Sequence, residues 1–105
     1  MTHHVKDSAD LEAKLKDAGS NLVVIDFYAT WCGPCKMIAP KLEELAQSLP
    51  DVVFLKVDVD ECEDVAAQYE ISVMPTFVFI KASNKVASFS GSNYDKLKEL
   101  VMQNK

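Results

Sequence analysis

The sequence predicts an α/β fold: a three-layer α/β/α sandwich in which a central mixed sheet of five strands is flanked by four helices. Short, strongly apolar segments that suit strands alternate with amphipathic segments that suit helices, which favours parallel central strands joined by helices. Towards the C-terminus, two strand-like segments follow each other across a polar turn and predict an antiparallel hairpin. A chain of 105 residues with 49% hydrophobic residues has the size of one domain, so we expect a single domain over residues 1–105.

The first part of the chain predicts a weak strand, a helix and a strong strand. Residues 2–6 suit a weak edge strand. Asp7 can cap a helix that ends at Gly19, where a left-handed stop is expected. Residues 22–28 are too β-branched and too uniformly apolar for a surface strand, so they predict a central strand covered on both faces, with Asp26 as its one charge. The apolar face of the helix comprises Leu11, Leu15 and Ala18.

The middle of the chain predicts the longest helix and a second strand. Pro34 fits the first turn of this helix, whereas Pro40 is compatible with it only through a kink. Residues 52–59 suit a strand, and Lys56 and Asp58, two positions apart, indicate that one face of it meets polar groups. The apolar positions of the helix are Ile38, Leu42, Leu45 and Leu49.

The last third predicts a short helix, a hairpin and a final helix. The short helix covers residues 63–69, and the hairpin strands cover residues 76–80 and 86–89. Asn84 supplies the left-handed geometry that the turn requires. Gly91 breaks the second hairpin strand.

The final helix has a predicted start and a predicted buried stripe. Ser92, with Asp95 three residues later, resembles a capping box. The buried stripe comprises Leu97, Leu100 and Val101.

Charge and hydropathy exclude two classes of partner. The 11 basic and 16 acidic residues give a net charge of −5, and the basic residues are scattered singly, so we expect no nucleic-acid binding. No uninterrupted apolar stretch exceeds four residues, where a membrane span needs about 20, and the N-terminus has no apolar signal core. We therefore expect a soluble protein that is not secreted. Three cysteines are a poor basis for a disulfide scaffold and suit redox or metal chemistry in a reducing compartment.

The segment from Cys32 to Cys35 carries the chemistry. A Cys-Gly-Pro-Cys sequence that opens a helix after a buried strand places the first thiol at free backbone N–H groups and at the positive end of the helix dipole, which stabilises a thiolate. The two cysteines lie one helical turn apart, near enough to form an intramolecular disulfide. We expect Cys32 to be exposed and Cys35 to be shielded inside the first turn. Placement between strand and helix favours redox chemistry over a zinc site or inert thiols.

A zinc site is the main structural alternative for these cysteines. It would need Cys32, Cys35, Cys62 and either His3 or His4 as ligands. The sequence has no second Cys-x-x-Cys and no histidine pair at zinc-finger spacing, so we expect no metal. The histidines are better explained as the solvated end of an edge strand.

Five segments together resemble the thioredoxin family, most of all its animal cytosolic members. They are Trp31–Lys36, Asp26–Thr30, Met74–Phe77, Val57–Cys62 and Phe89–Gly91. The similarity covers essentially the whole chain in the order of its elements. The resemblance implies a thioredoxin fold and a redox-active disulfide between Cys32 and Cys35.

The resemblance also implies the roles of individual residues. Cys32 would attack a target disulfide, Cys35 would resolve the mixed disulfide, and Asp26 would exchange a proton with Cys35. Pro75 would follow a cis peptide bond and pack against the cysteines, although an X-Pro bond judged by sequence alone is expected to be trans. The Met74 backbone would pair with an extended target segment. The remaining residues that would form the target-binding surface are Trp31, Gly33, Pro34 and Gly91.

The residues themselves leave several of these roles open. Burial should raise the pKa of Asp26 towards the working range, but an aspartate hydrogen-bonded to backbone at a strand edge is the alternative. Lys56 either neighbours Asp26 across the sheet or faces water. Trp31 suits a contact surface and core packing equally well. Lys36 is better explained as a solvated lysine than as a source of potential at Cys32.

Cys62 has a different expected character. Acidic residues surround it in sequence, and their field should raise its pKa and suppress the thiolate. We therefore expect a structural or at most regulatory thiol. Some animal members of the family carry a cysteine that links two molecules at a position that is Val73 here, so that linkage is not expected.

The implied activity is that of a general protein disulfide reductase that contributes to redox homeostasis. It would hold no bound cofactor and would be regenerated by thioredoxin reductase, a flavin enzyme that uses NADPH. Expected targets are disulfide-containing proteins such as peroxiredoxin, ribonucleotide reductase and methionine sulfoxide reductase, in the cytoplasm, with the nucleus as a further location. The alternatives are a binding module whose affinity switches with redox state, and a secretory-pathway oxidase or isomerase, which Pro34 and the missing signal disfavour.

Overall fold

A computed structural model of the chain describes residues 2–105, which form five strands and four helices. The strands are β1 (Thr2–His4), β2 (Val23–Tyr28), β3 (Val53–Asp58), β4 (Thr76–Lys81) and β5 (Asn84–Ser90). The helices are α1 (Ser8–Ala18), α2 (Gly33–Ser48), α3 (Glu63–Gln68) and α4 (Tyr94–Asn104). The predicted order of elements is confirmed.

The strands form one mixed sheet in the order β1-β3-β2-β4-β5. β3 pairs in parallel with both β1 and β2, whereas β4 runs antiparallel to β2 and to β5. β2 therefore occupies the centre of the sheet, as its uniformly apolar sequence predicts. Its carboxyl end leads through residues 29–32 into α2, so α2 begins at the sheet edge where such folds bind ligands.

Each face of the sheet is covered by two helices. On one face, Leu11 and Ala18 of α1 and Val65 of α3 pack in a buried cluster with residues of β2, β3 and β4. On the other face the buried cluster contains residues of the other two helices: Ile38, Leu42, Leu45 and Ala46 of α2, and Leu97 and Val101 of α4. The structure is thus the three-layer sandwich that the alternating pattern predicts.

The helix ends show which local predictions are correct. The Asp7 side chain accepts the Asp10 N–H at 2.8 Å and caps α1. The predicted capping box at Ser92 is wrong, because the residue that caps α4 is Asn93, whose side chain accepts the Lys96 N–H at 3.0 Å. Asn and Ser are nearly equivalent as caps, so sequence alone does not fix the start of the helix to one residue.

The hairpin turn also differs from its prediction. Lys81 pairs with Asn84, which leaves Ala82 and Ser83 as the two turn residues, with φ angles of 50° and 66°. Positive φ at both positions is the geometry of a type I′ turn, which matches the twist of the two strands. The expected left-handed residue, Asn84, belongs to β5 instead, and its side-chain amide donates to the Ala82 carbonyl at 3.1 Å.

Candidate functional site

The site is built around a disulfide at the amino end of α2. Cys32 and Cys35 are joined by this bond, with their Cα atoms 5.3 Å apart. Cys32 is the N-cap residue of α2, and its Sγ accepts the Cys35 backbone N–H at 3.2 Å. In the reduced protein the same N–H group and the helix dipole stabilise a thiolate at Cys32. Pro34 lies in the first turn, where its missing N–H costs no hydrogen bond.

Exposure does not separate the two cysteines. Cys32 is 5% exposed and Cys35 is 4% exposed, so the predicted shielding of Cys35 is confirmed, whereas the predicted exposure of Cys32 is wrong for the oxidised state. The difference between them lies in hydrogen bonding, because Cys32 Sγ caps the helix whereas Cys35 is within its first turn. Their immediate neighbours Gly33 and Pro34 are exposed.

Asp26 is the buried charge of the site. It lies in β2, two residues before the strand ends, and is 1% exposed. Neither carboxyl oxygen has a hydrogen-bond partner among the described residues, which argues against the alternative of a backbone-bonded aspartate. Burial raises the pKa of Asp26 to about 6, and the positive charge of Lys56 opposes part of this shift.

Lys56 occupies the position of β3 that is in register with Asp26. Its side chain does not extend freely into water, because its Nζ lies 4.5 Å from the centre of the Tyr28 ring, a cation–π distance. Tyr28 ends β2 directly before the site. Lys56 and Tyr28 also line a recess of about 250 Å³ together with Cys35, so these three residues border the same side of the site.

The segment before β4 approaches the disulfide from the other side. The Met74–Pro75 peptide bond is cis, as the resemblance implies. The Met74 carbonyl oxygen lies 3.6 Å from Cys32 Sγ, and Met74 packs against the cluster of Ala29 and the two cysteines. The structure therefore places Met74 beside the sulfur that the sequence predicts as nucleophile.

Trp31 lies on the surface and not in the core. Its side chain is 67% exposed, and its indole N–H donates to Asp60 Oδ2 at 2.9 Å. The sequence around Asp60 gives no sign of this contact, because the two residues are 29 positions apart in the chain. Asp60 is thus a residue that the sequence analysis missed, and no local pattern could have revealed it.

The two predicted glycines of the site, Gly33 and Gly91, differ in whether the backbone requires a glycine. Gly91 has a φ of 106°, a conformation that other residues rarely adopt, and its N–H donates to the Pro75 carbonyl at 2.9 Å. A Cβ at Gly33 would meet no atom within 4 Å, so Gly33 is not required by the fold itself and leaves room at Cys32.

Cys62 is separate from the reactive pair. It is a free cysteine and is 2% exposed. Burial is the largest cause of its raised pKa, followed by the charges of Asp64, Glu61 and Asp58. The predicted direction is correct, but desolvation contributes more than the acidic field on which the prediction was based.

Residues 2–105 contain neither a metal-binding cluster nor a membrane-spanning helix. In that part of the chain, no group of three or more His, Cys, Asp or Glu side chains could hold a metal ion. No helix within it is long and apolar enough to cross a membrane.

A cysteine pair that forms a disulfide at the start of a helix, directly after the central strand of a mixed sheet, defines a thiol–disulfide oxidoreductase. Comparisons with known proteins agree. The family model described as thioredoxin matches residues 2–103. Thioredoxin of Gallus gallus is 52% identical over 101 residues, 96% of each chain. Thioredoxin-T of Drosophila melanogaster is 55% identical over 102 residues, which are 96% of this chain and 65% of that protein.

Solved structures give the same result. A Fasciola hepatica thioredoxin superposes with a TM-score of 0.97 at 48% identity, covering 98% of this chain and 99% of the other. The chain belongs to the thioredoxin family. It is a protein disulfide reductase that acts by thiol–disulfide exchange, a reaction that needs no bound cofactor because both electrons pass between sulfur atoms.

Proposed function

We propose that the chain, as a single domain over residues 1–105, reduces target disulfides with Cys32 as nucleophile, Cys35 as resolving thiol and Asp26 as proton acceptor. The observation that carries this proposal is the capping of α2 by Cys32, whose Sγ accepts the Cys35 N–H. Of the two sulfurs, this is the one that the helix terminus stabilises as a thiolate.

The reaction consists of two exchange steps. In the first, the Cys32 thiolate attacks one sulfur of the target disulfide, forms a mixed disulfide and releases the other target sulfur as a thiolate, which takes a proton. In the second, the Cys35 thiol loses its proton and attacks Cys32 Sγ. The second target thiolate leaves and is protonated, and the Cys32–Cys35 disulfide of this structure is the product.

Asp26 suits the proton transfer because burial raises its pKa to about 6. A carboxyl group with a pKa close to the working pH can both accept and return a proton. Its oxygens have no competing hydrogen-bond partner among residues 2–105. Lys56 tunes this carboxyl, since its charge partly offsets the effect of burial.

The target would bind on the surface around Cys32. The Met74 backbone, beside Cys32 Sγ, would pair with an extended target segment in the manner of an added strand. The exposed Trp31 ring provides an aromatic contact. Gly33, Pro34, Pro75 and Gly91 complete this surface.

Partners follow from the need to regenerate the dithiol. We propose that thioredoxin reductase, a flavin enzyme, supplies electrons from NADPH, and that targets include peroxiredoxin, ribonucleotide reductase and methionine sulfoxide reductase. A yeast structure that is 38% identical, with a TM-score of 0.90, is described with the resolving of a mitochondrial 1-Cys peroxiredoxin through glutathione and thioredoxin systems, which supports the peroxiredoxin proposal. A reducing cytoplasm, with the nucleus as a further location, would keep the pair available as a dithiol.

The test is the rate at which catalytic amounts of the protein accelerate the reduction of insulin disulfides by dithiothreitol. We expect acceleration, and we expect Cys35→Ser to accumulate a mixed disulfide through Cys32. A folded Cys35→Ser protein that traps no target would contradict the assigned roles. Absence of acceleration, with target binding retained by a Cys32→Ser/Cys35→Ser protein, would favour a binding module whose affinity switches with redox state.

A further inference from the structure

Thr76 joins two segments that the reaction requires to be close together. It opens β4 directly after the Met74–Pro75 bond and is 8% exposed. Its hydroxyl lies within hydrogen-bond distance of the Val73 carbonyl and 2.8 Å from Ser90 Oγ. Because a carbonyl only accepts and a hydroxyl has one hydrogen, Thr76 donates to Val73 and Ser90 donates to Thr76. The result is a directed chain of hydrogen bonds from Ser90 through Thr76 to Val73.

This chain fixes the start of the segment that carries Met74. Ser90 ends β5 and is the strand partner of Thr76. The next residue, Gly91, donates its backbone N–H to the Pro75 carbonyl at 2.9 Å. Met74 therefore lies between two residues whose carbonyls accept hydrogen bonds: Val73 from the Thr76 hydroxyl and Pro75 from the Gly91 backbone N–H. The carbonyl oxygen of Met74 itself lies 3.6 Å from Cys32 Sγ.

We propose that Thr76 and Ser90 are positioning residues for target binding. They hold the Met74 backbone in the orientation that an extended target segment needs, so that the loop does not have to be ordered when the target arrives. A preorganised loop binds more tightly because less conformational entropy is lost on binding. The inference rests on the proposed pairing of Met74 with the target, and it assigns a function to two hydroxyl groups that do not touch the sulfur atoms.

The geometry provides a matched control on the same strand. Ser88 and Ser90 are both exposed in β5 and both line a recess of about 210 Å³ on one side of the hairpin. Thr76 is in register with Ser90, whereas Ser88 is in register with Val78. Loss of the Ser88 hydroxyl should therefore leave both hydrogen bonds of the Thr76 hydroxyl intact, whereas loss of the Ser90 hydroxyl removes one of them.

The test measures kcat and KM for two disulfides, insulin and the small aromatic disulfide 5,5′-dithiobis(2-nitrobenzoate), which has no backbone to pair with Met74. The loss of the hydrogen bonds in Thr76→Val should raise KM for insulin about three- to tenfold and should change kcat for insulin little. For the small disulfide, neither KM nor kcat should change. Ser90→Ala should show a smaller rise, Ser88→Ala none, and Thr76→Ser should restore the value of the unmodified protein. The Thr76→Val/Ser90→Ala protein should be no worse than Thr76→Val alone, because both act on one chain of bonds.

Several outcomes would overturn the proposal. An unchanged KM for insulin in Thr76→Val, an equal loss with both disulfides, or an effect of Ser88→Ala equal to that of Ser90→Ala would each do so. If Thr76→Val does not fold, Ser90→Ala decides, because it removes only the bond from Ser90 to Thr76: a raised KM for insulin supports the proposal, and an unchanged KM overturns it. Failure of the unmodified protein to reduce insulin would reject the proposed function itself, which is a different result.

Discussion

At the scale of single residues, burial raises the pKa of two side chains with opposite consequences for their reactivity. Asp26 is 1% exposed and Cys62 is 2% exposed, and burial is the main cause of the raised pKa of each. For Asp26 the shift brings the group to about 6, close to the pH at which it would exchange protons. For Cys62 the shift removes the thiolate from the neutral range. The same physical effect therefore prepares one group for chemistry and makes the other unreactive.

The burial of Asp26 should make the protein less stable at neutral pH than an Asp26→Asn variant. Well below pH 3.8 the carboxyl is protonated in both the folded and the unfolded chain, so no penalty exists. The unfolded chain loses the proton near its ordinary value of 3.8, whereas the folded protein retains it up to about 6. Stability is therefore lost as the pH rises from 4 to 6 and stays low above this range.

The expected gain of Asp26→Asn at pH 8 is on the order of 3 kcal/mol, from a shift of about two pKa units. Denaturant unfolding of both proteins at pH 8 and at pH 4 measures it. An advantage of the variant that is equal at the two pH values would show that the carboxylate charge is not the cause.

The same substitution should slow the second exchange step. Without the carboxylate, Cys35 loses its proton acceptor, and general acid–base catalysis is typically worth about 10²- to 10⁴-fold. Stopped-flow measurement of the decay of a preformed mixed disulfide should show a slower rate whose inflection near pH 6 has disappeared. A rate that matches the unmodified protein at every pH would remove Asp26 from the mechanism.

Cys62 should react slowly with alkylating agents. In the reduced protein at neutral pH, we expect iodoacetamide to label Cys62 at least about tenfold more slowly than Cys32, because the reactive species is the thiolate. Mass spectrometry of peptides sampled over time gives both rates. Comparable rates, measured beside a Cys62→Ser control that identifies the peptide, would contradict the expected suppression of the thiolate at Cys62.

At the scale of elements, a repeated apolar pattern was sufficient to predict a strand or a helix. Two features that depend on one or two residues, the cap of α4 and the hairpin turn, were not predicted correctly. β2 and α2 are read correctly because many residues share one pattern, which continues through Pro40 in the helix. The start of α4 at Asn93 depends on one of several adjacent polar residues that could serve as the cap. The turn at Ala82 and Ser83 is set by the pairing of two strands, and these residue types carry little signal for positive φ.

This turn should be a place where the protein can be stabilised. Ala82 and Ser83 both have positive φ, for which Asn-Gly is the favoured pair in a type I′ turn. The variant Ala82→Asn/Ser83→Gly should raise the free energy of unfolding by about 1 kcal/mol, measured by thermal and urea unfolding. Ala82→Val, which introduces a β-branched side chain at positive φ, should lower it. Equal stability of all three proteins would show that the turn carries no conformational cost.

At the scale of the whole molecule, the site exists because distant segments end at one edge of the sheet. The contact of Trp31 with Asp60 spans 29 positions, and that of Cys32 with Met74 spans 42. The parallel strands place β2 and the loop after β3 at the same edge, and β4 begins there because it runs the other way. The motif around the cysteines was recognisable from the sequence, and the family resemblance implied that the Met74–Pro75 segment lies beside it. The contact of Trp31 with Asp60 was not predictable, because it depends on strand order and register, which residue types specify only weakly.

The arrangement predicts that site and core unfold together. The two buried clusters on opposite faces both include residues of β2, β3 and β4, so neither can separate without breaking the sheet that the other needs. The chain has one tryptophan, Trp31, so its fluorescence reports the site, whereas far-UV circular dichroism reports all four helices. In urea the two signals should give the same midpoint, as expected of one cooperative domain.

Reduction of the disulfide should lower the urea midpoints measured by Trp31 fluorescence and by circular dichroism by the same amount. A cross-link between residues three positions apart restricts only a small loop of the unfolded chain. In the chain-entropy model, the disulfide therefore raises the free energy of unfolding by about 2 kcal/mol. Urea unfolding with and without dithiothreitol measures this difference, and a Cys32→Ser/Cys35→Ser protein, which cannot form the bond, shows whether the reductant has another effect. A midpoint that falls for fluorescence alone would mean that the site loosens independently, and the chain would then consist of more than one cooperative unit.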